Sequence, residues 1–258
     1  MRYLYKNIIN SKFIIFLRNS LKIKPASFYI NKDLNNSSIS DSFCWRTDEG
    51  YTTKFKFSDI FYLFFELENS WVEIDFFDRD SNFLKKIKIN KLNVSNEIII
   101  DGDFLNGVKS YGTFYIYHFY DNSKNNKNET LINRCYVGYS KNDRFFSFVH
   151  GNTLSKYKKN NSPSIERSDI VSTSFFKNHI YSIQKNFEEY DKSELIFTNP
   201  TNKKIQFRVD SENHNLGAGC AKKISFSNKK KISINTNCLW LRPIVFSYKQ
   251  NYFDVHHS

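Results

Sequence analysis

Two segments in opposite halves of the chain alternate apolar and polar residues with a period of two: Val72, Ile74 and Phe76 after Asn69-Ser70, and Ile205, Phe207 and Val209 after Asn202-Lys203. Successive side chains of a strand point to opposite faces, so each segment offers one face to bury and one to water. A shift of 133 residues lays Val72 on Ile205, Ile74 on Phe207 and Phe76 on Val209, and sets Phe64 on Phe197 just upstream. The pattern predicts an all-β chain of two immunoglobulin-like antiparallel β-sandwich domains related by internal duplication.

The rest of the chain divides around that pattern. Residues 1–40 read as an N-terminal helix and polar connector, 41–155 as the first sandwich, 156–168 as a linker and 169–258 as the second sandwich. The linker is polar, contains Pro163 and has nothing to bury. The clearest hairpin joins Val72–Phe77 to Leu84–Ile89. Pairing Val72 with Ile89 and Ile74 with Ile87 keeps all four on the core face, while Glu73 and Lys88 meet on the wet one. Residues 112–120 are aromatic at both parities, which predicts a central or covered strand. A second hairpin, centred on Lys229, would pair Phe226 with Ile232, Ile224 with Ile234 and Cys220 with Cys238. The segment from Ser193 to Asn202 resembles the strand-turn-strand opening of bacterial immunoglobulin-like domains; the resemblance names no family and implies no activity.

A net charge of +12 invites an anionic partner. Lysine, however, outnumbers arginine 29 to 9, and asparagine reaches 31. Guanidinium forks are what grip phosphates and base edges bidentately, so their scarcity argues against nucleic acid and for a solvated lysine surface. At the N-terminus, residues 2–22 place Tyr5, Ile9, Phe13, Phe16 or Leu17, and Leu21 on one helical face with Lys6, Lys12, Arg18 and Lys22 around it. Such a segment either caps an apolar face or lies on a membrane surface. The apolar run Phe13–Leu17 is too short for a secretory signal, and no stretch approaches the ~18 apolar residues of a membrane span. Cys44, Cys135, Cys220 and Cys238 form no C-x-x-C pair. The expectation is a cytoplasmic protein with free thiols.

Three clusters carry potential chemistry. Trp45, Arg46 and Asp48 lie in a predicted loop beside an open cleft, where a ring covers the C–H face of a sugar and charged groups bond its hydroxyls. Trp240 and Arg242 repeat the aromatic-arginine pairing. His150, beside Gly151, is a candidate base or metal ligand; Asp254 and His256 share a strand parity and supply two more ligands, with His214 as a further one. The leading expectation is a non-enzymatic binding module for a carbohydrate or other polar ligand, using Trp45, Arg46, Asp48, Trp240 and Arg242 and needing no cofactor. The alternative is a histidine-dependent hydrolase or metalloenzyme built on His150, Asp254 and His256.

Overall fold

The computed structural model describes residues 12–21, 37–121, 132–133, 135–142, 144–159, 168–169, 173, 178–238 and 241–258. Among them the chain forms nineteen strands in four sheets. Sheet I has the order β11 (Ser168–Asp169), β10 (Asn152–Lys159), β1 (Ser37–Arg46), β6 (Tyr111–Tyr120), β3 (Ser70–Asp78), β4 (Phe83–Ile89), with the short β7 (Ile132–Asn133) parallel to β1. Sheet II runs β5 (Ser95–Ile100), β2 (Tyr51–Ser58), β8 (Tyr136–Lys141), β9 (Ser147–His150). Sheet III runs β16 (Ala221–Phe226), β13 (Lys192–Thr198), β18 (Ile244–Lys249), β19 (Tyr252–His257). Sheet IV runs β12 (His179–Ser182), β17 (Ser233–Thr236), β14 (Ile205–Val209), β15 (Glu212–Leu216).

The chain is all-β, but the expected pair of immunoglobulin-like β-sandwiches is not what it builds. Four small sheets are arranged in a propeller-like ring. The reason lies in sheet III, which is apolar on both faces. Ile196, Ile244, Phe246 and Val255 join a core with Phe43, Phe55, Ile74, Phe114 and Val137 of sheets I and II. Leu195, Phe197 and Val245, at the opposite parity, join a second core with Ile205, Phe207, Leu216 and Ile234 of sheet IV. A sandwich sheet keeps one face wet; this one is covered twice.

The offset of 133 residues matches β3 to β14 and fails elsewhere. It carries Phe64, 72 % exposed on the short helix α2 (Ile60–Phe65; the nine-residue Lys12–Ser20 is α1), onto Phe197, fully buried on β13. What does recur is strand order: β1-β6-β3-β4 parallels β12-β17-β14-β15, and β5-β2-β8-β9 parallels β16-β13-β18-β19.

Local patterning explains the elements that were legible. The β3–β4 register is Val72 with Ile89, Glu73 with Lys88 and Ile74 with Ile87, as the alternation predicts. β6 lies between β1 and β3, with Phe114 and Ile116 in the main core and Tyr115, Tyr117 and Phe119 in a cluster on its other face. Gly112 permits the β1–β6 contact, since a Cβ there would stand 2.1 Å from the Phe77 carbonyl and 2.8 Å from the Trp45 ring. The Lys229 hairpin does not form: β16 pairs with β13 in sheet III, whereas β17 pairs with β12 and β14 in sheet IV. The chain crosses between sheets at that turn. Cys238 is buried, Cys220 half-buried, and all four cysteines are free thiols.

In α1 Phe13 and Phe16 are exposed; residues 2–11 and 22 of the expected membrane-facing segment lie outside the described residues. Strand β10 extends through Lys159 into the stretch expected as linker, and residues 160–167 also lie outside the description. No helix among the described residues is long and apolar enough to cross a membrane.

Candidate functional site

Arg46 ends β1, and its side chain runs inward instead of into a cleft. Both Trp45 and Arg46 have no exposed surface. The Trp45 indole N–H donates to the Phe77 carbonyl at 2.8 Å. The Arg46 guanidinium donates to Asp48 Oδ1 (2.6 Å), Glu194 Oε2 (2.6 Å) and the Tyr248 hydroxyl (3.0 Å), and stacks 4.0 Å over the Tyr51 ring. Lys223 holds Asp48 and Glu49 at 2.7 and 2.8 Å, and Lys192 holds Glu194 Oε1 at 2.7 Å. Burial would lower the Arg46 pKa, but Tyr248, Glu194 and Asp48 around it raise it above its usual range. Burial likewise opposes the Glu194 charge, and Arg46 with Lys192 brings its carboxyl down to about 2. This is a buried polar clamp between the two halves of the chain, with its hydrogen-bonding capacity spent on protein partners. Trp240 lies outside the described residues, and Arg242 is exposed at the start of the segment leading to β18.

The histidine constellation is partly assembled. Asp254 and His256 share a face of β19, as their parity predicts, but the ammonium of Lys185 sits between them, 2.7 Å from Asp254 Oδ2 and 3.4 Å from His256 Nδ1. Burial and that ammonium hold His256 down to about 4, so the imidazole is neutral near pH 7. His150 is exposed on β9 and stacks on Tyr136 at 4.6 Å; His214 lies on β15 in sheet IV. Among the described residues no three His, Cys, Asp or Glu side chains gather to hold a metal ion.

A cavity of about 470 Å³ opens on sheet IV, where no site residue was expected apart from His214. Gln206 and Arg208 are the exposed residues of β14, alternating with buried Ile205, Phe207 and Val209. Register brings partners beside them: Asn215 opposite Gln206, and Asn213 and Asn235 on either side of Arg208. The ladder continues to Asn237, whose backbone N–H approaches the Gln206 carbonyl at 3.4 Å. With Asn178 at the rim, six carboxamides and one guanidinium line the cavity. Arg208 has no carboxylate partner among the described residues. The Oδ1 of Asn237 is buried and accepts no hydrogen bond. His214 stacks on Phe207 at 5.3 Å along one margin, held below its usual pKa by burial and by Lys222. The exposed side chain of Ile180 stands opposite Asn235 at the β12 edge. Comparison with protein-family models, with curated proteins and with solved structures gave no match.

Proposed function

We propose that the protein is a non-enzymatic binding module whose ligand is hydroxyl-rich, of the saccharide class, held on the carboxamide array of sheet IV. Each carboxamide offers donors and an acceptor on one planar group, which matches the vicinal hydroxyls of a sugar ring. The groups are uncharged, so covering them costs far less desolvation than covering ions. The cavity volume falls within the ~300–1,000 Å³ of small-ligand sites, and its polar lining selects against an apolar occupant. The observation that carries the reading is the convergence of six carboxamides and the Arg208 guanidinium on one cavity.

The test is a glycan array followed by calorimetry on the best-retained saccharide, with wild type and the Gln206→Ala/Asn237→Ala variant. The expected result is saturable binding that the variant loses at unchanged melting temperature. Absence of any retained glycan, or equal binding by the variant, would refute it.

A further inference from the structure

The outer face of sheet II differs in kind from the carboxamide array. Its register sets Ile99, Lys54, Gly138 and Phe148 in one row and Glu97, Lys56, Tyr136 and His150 in the next. Gly138 lets the Phe148 ring lie across β8, since a Cβ there would meet that ring at 2.5 Å. Lys56 stands 5.1 Å over the Phe148 ring and Lys54 4.8 Å over that of Phe146. Phe146, Phe148 and His150 therefore follow one another at two-residue steps, about 7 Å apart along an extended strand. Among these rings Tyr136 is 49 % exposed and Phe148 37 %. Glu97, 3.5 Å from Lys54, is the one carboxylate at the outward positions of the four strands.

A second cavity of about 160 Å³ lies between the β8–β9 turn and the β18–β19 turn, lined by Lys141, Asn142, Arg144, Gln250, Asn251 and Tyr252 among others. Arg144 closes one side by donating to the Asn251 carbonyl at 2.8 Å. Lys141 lies over the rings of Tyr51 and Tyr248. Neither cation has a carboxylate partner among the described residues.

We propose that this face and the adjoining β8–β9 turn bind single-stranded nucleic acid, with Phe146, Phe148 and Tyr136 stacking bases and Lys54, Lys56 and Arg144 meeting phosphates. Rings interleaved with cations are what a strand with unpaired bases needs, and base stacking is tolerant of sequence. The scarcity of arginine argues against bidentate reading of base edges, which this mode does not use. A membrane surface would also attract the lysines, but the Phe148 ring lies along the sheet instead of standing out to insert.

Fluorescence anisotropy with a labelled oligothymidine of ~12 nucleotides, at about 50 mM salt, tests this on the full chain. The expected result is micromolar binding with a log–log salt slope near −2, from three phosphate contacts at about −0.7 each. Phe146→Ala/Phe148→Ala should weaken binding by about tenfold with the slope retained, and Lys54→Glu/Lys56→Glu should abolish it; Phe148→Ala alone removes a ring 37 % exposed and leaves the fold intact. Equal affinity for a duplex of the same length, binding to phosphatidylserine vesicles without binding to the oligonucleotide, no anisotropy change, or variants that bind like wild type would each overturn the proposal.

Discussion

Replacing Arg46 with methionine should destabilise the protein by about 3 kcal/mol at pH 7, since breaking a buried pair from one side strands the other charge. The residue left behind is Glu194, whose side chain, like that of Arg46, has no exposed surface. In the variant it keeps Lys192 at 2.7 Å and the Tyr248 hydroxyl at 2.7 Å, which holds the loss toward the lower end of the ~3–5 kcal/mol range. The pH profile gives an independent handle. Glu194 falls from an ordinary 4.5 to about 2 in the folded protein. A depressed carboxylate contributes stability that is present above its unfolded pKa and lost as pH falls through the folded one. Wild type should therefore lose about 3 kcal/mol from this group between roughly pH 5 and pH 2. In Arg46→Met that acid loss should shrink, because the isolated carboxyl protonates more readily in its buried site. Urea unfolding midpoints at pH 7 and at pH 3.5, for wild type, Arg46→Met and Arg46→Met/Glu194→Gln, measure both effects. The double variant should recover part of the loss. If Arg46→Met stays within about 1 kcal/mol of wild type at pH 7 and keeps the same acid profile, the clamp is not the stabilising contact described here.

Gly112→Ala should cost at least ~2 kcal/mol by forcing Trp45 and the Phe77 carbonyl apart, whereas Gly102→Ala, with no atom within 4 Å of the added methyl, should be near neutral in the same melting assay. His256, held down to about 4, binds its proton more readily when unfolded, so its contribution makes stability rise with pH between about 4 and 6.5. His256→Gln should remove that part of the slope in denaturant titrations across this range. Native thiol titration should label Cys220 first, because Cys44, Cys135 and Cys238 are buried and burial pushes Cys44 up to about 12; denaturation should release all four. A mass consistent with a 220–238 disulfide would contradict the free-thiol arrangement.

Legibility in the sequence followed the range of each interaction. The β3–β4 register was readable because a short turn joins two strands whose alternation permits one pairing with all apolar residues inward. β16 and β17 alternate equally well, and adjacent alternating strands look like a hairpin; their partners are β13, β12 and β14, tens of residues away in part, and the chain between them changes sheet. Arg46 looked like a surface residue because Asp48 is close in sequence, while Glu194 and Tyr248, which bury it, lie 148 and 202 residues away. The carboxamide site left a trace: Gln206 and Arg208, Asn213 and Asn215, Asn235 and Asn237 each keep one parity. An asparagine-rich chain hides such a trace, and only the register of β14, β15 and β17 turns three polar pairs into one surface. The two-sided burial of sheet III is marked by apolar residues at both parities of Leu195–Phe197 and Ile244–Phe246, a pattern that gives depth without naming the covering sheets.

The carboxamide array can be interrogated atom by atom by titrating uniformly ¹⁵N-labelled protein with the retained saccharide and following side-chain NH₂ resonances of asparagine and glutamine. Gln206, Asn213, Asn215, Asn235 and Asn237 should shift together and saturate at one affinity, while Asn82, Asn96 and Asn199, bonded elsewhere in the fold, stay fixed. Saturable shifts confined to residues outside sheet IV, or none among these five, would contradict the proposed site.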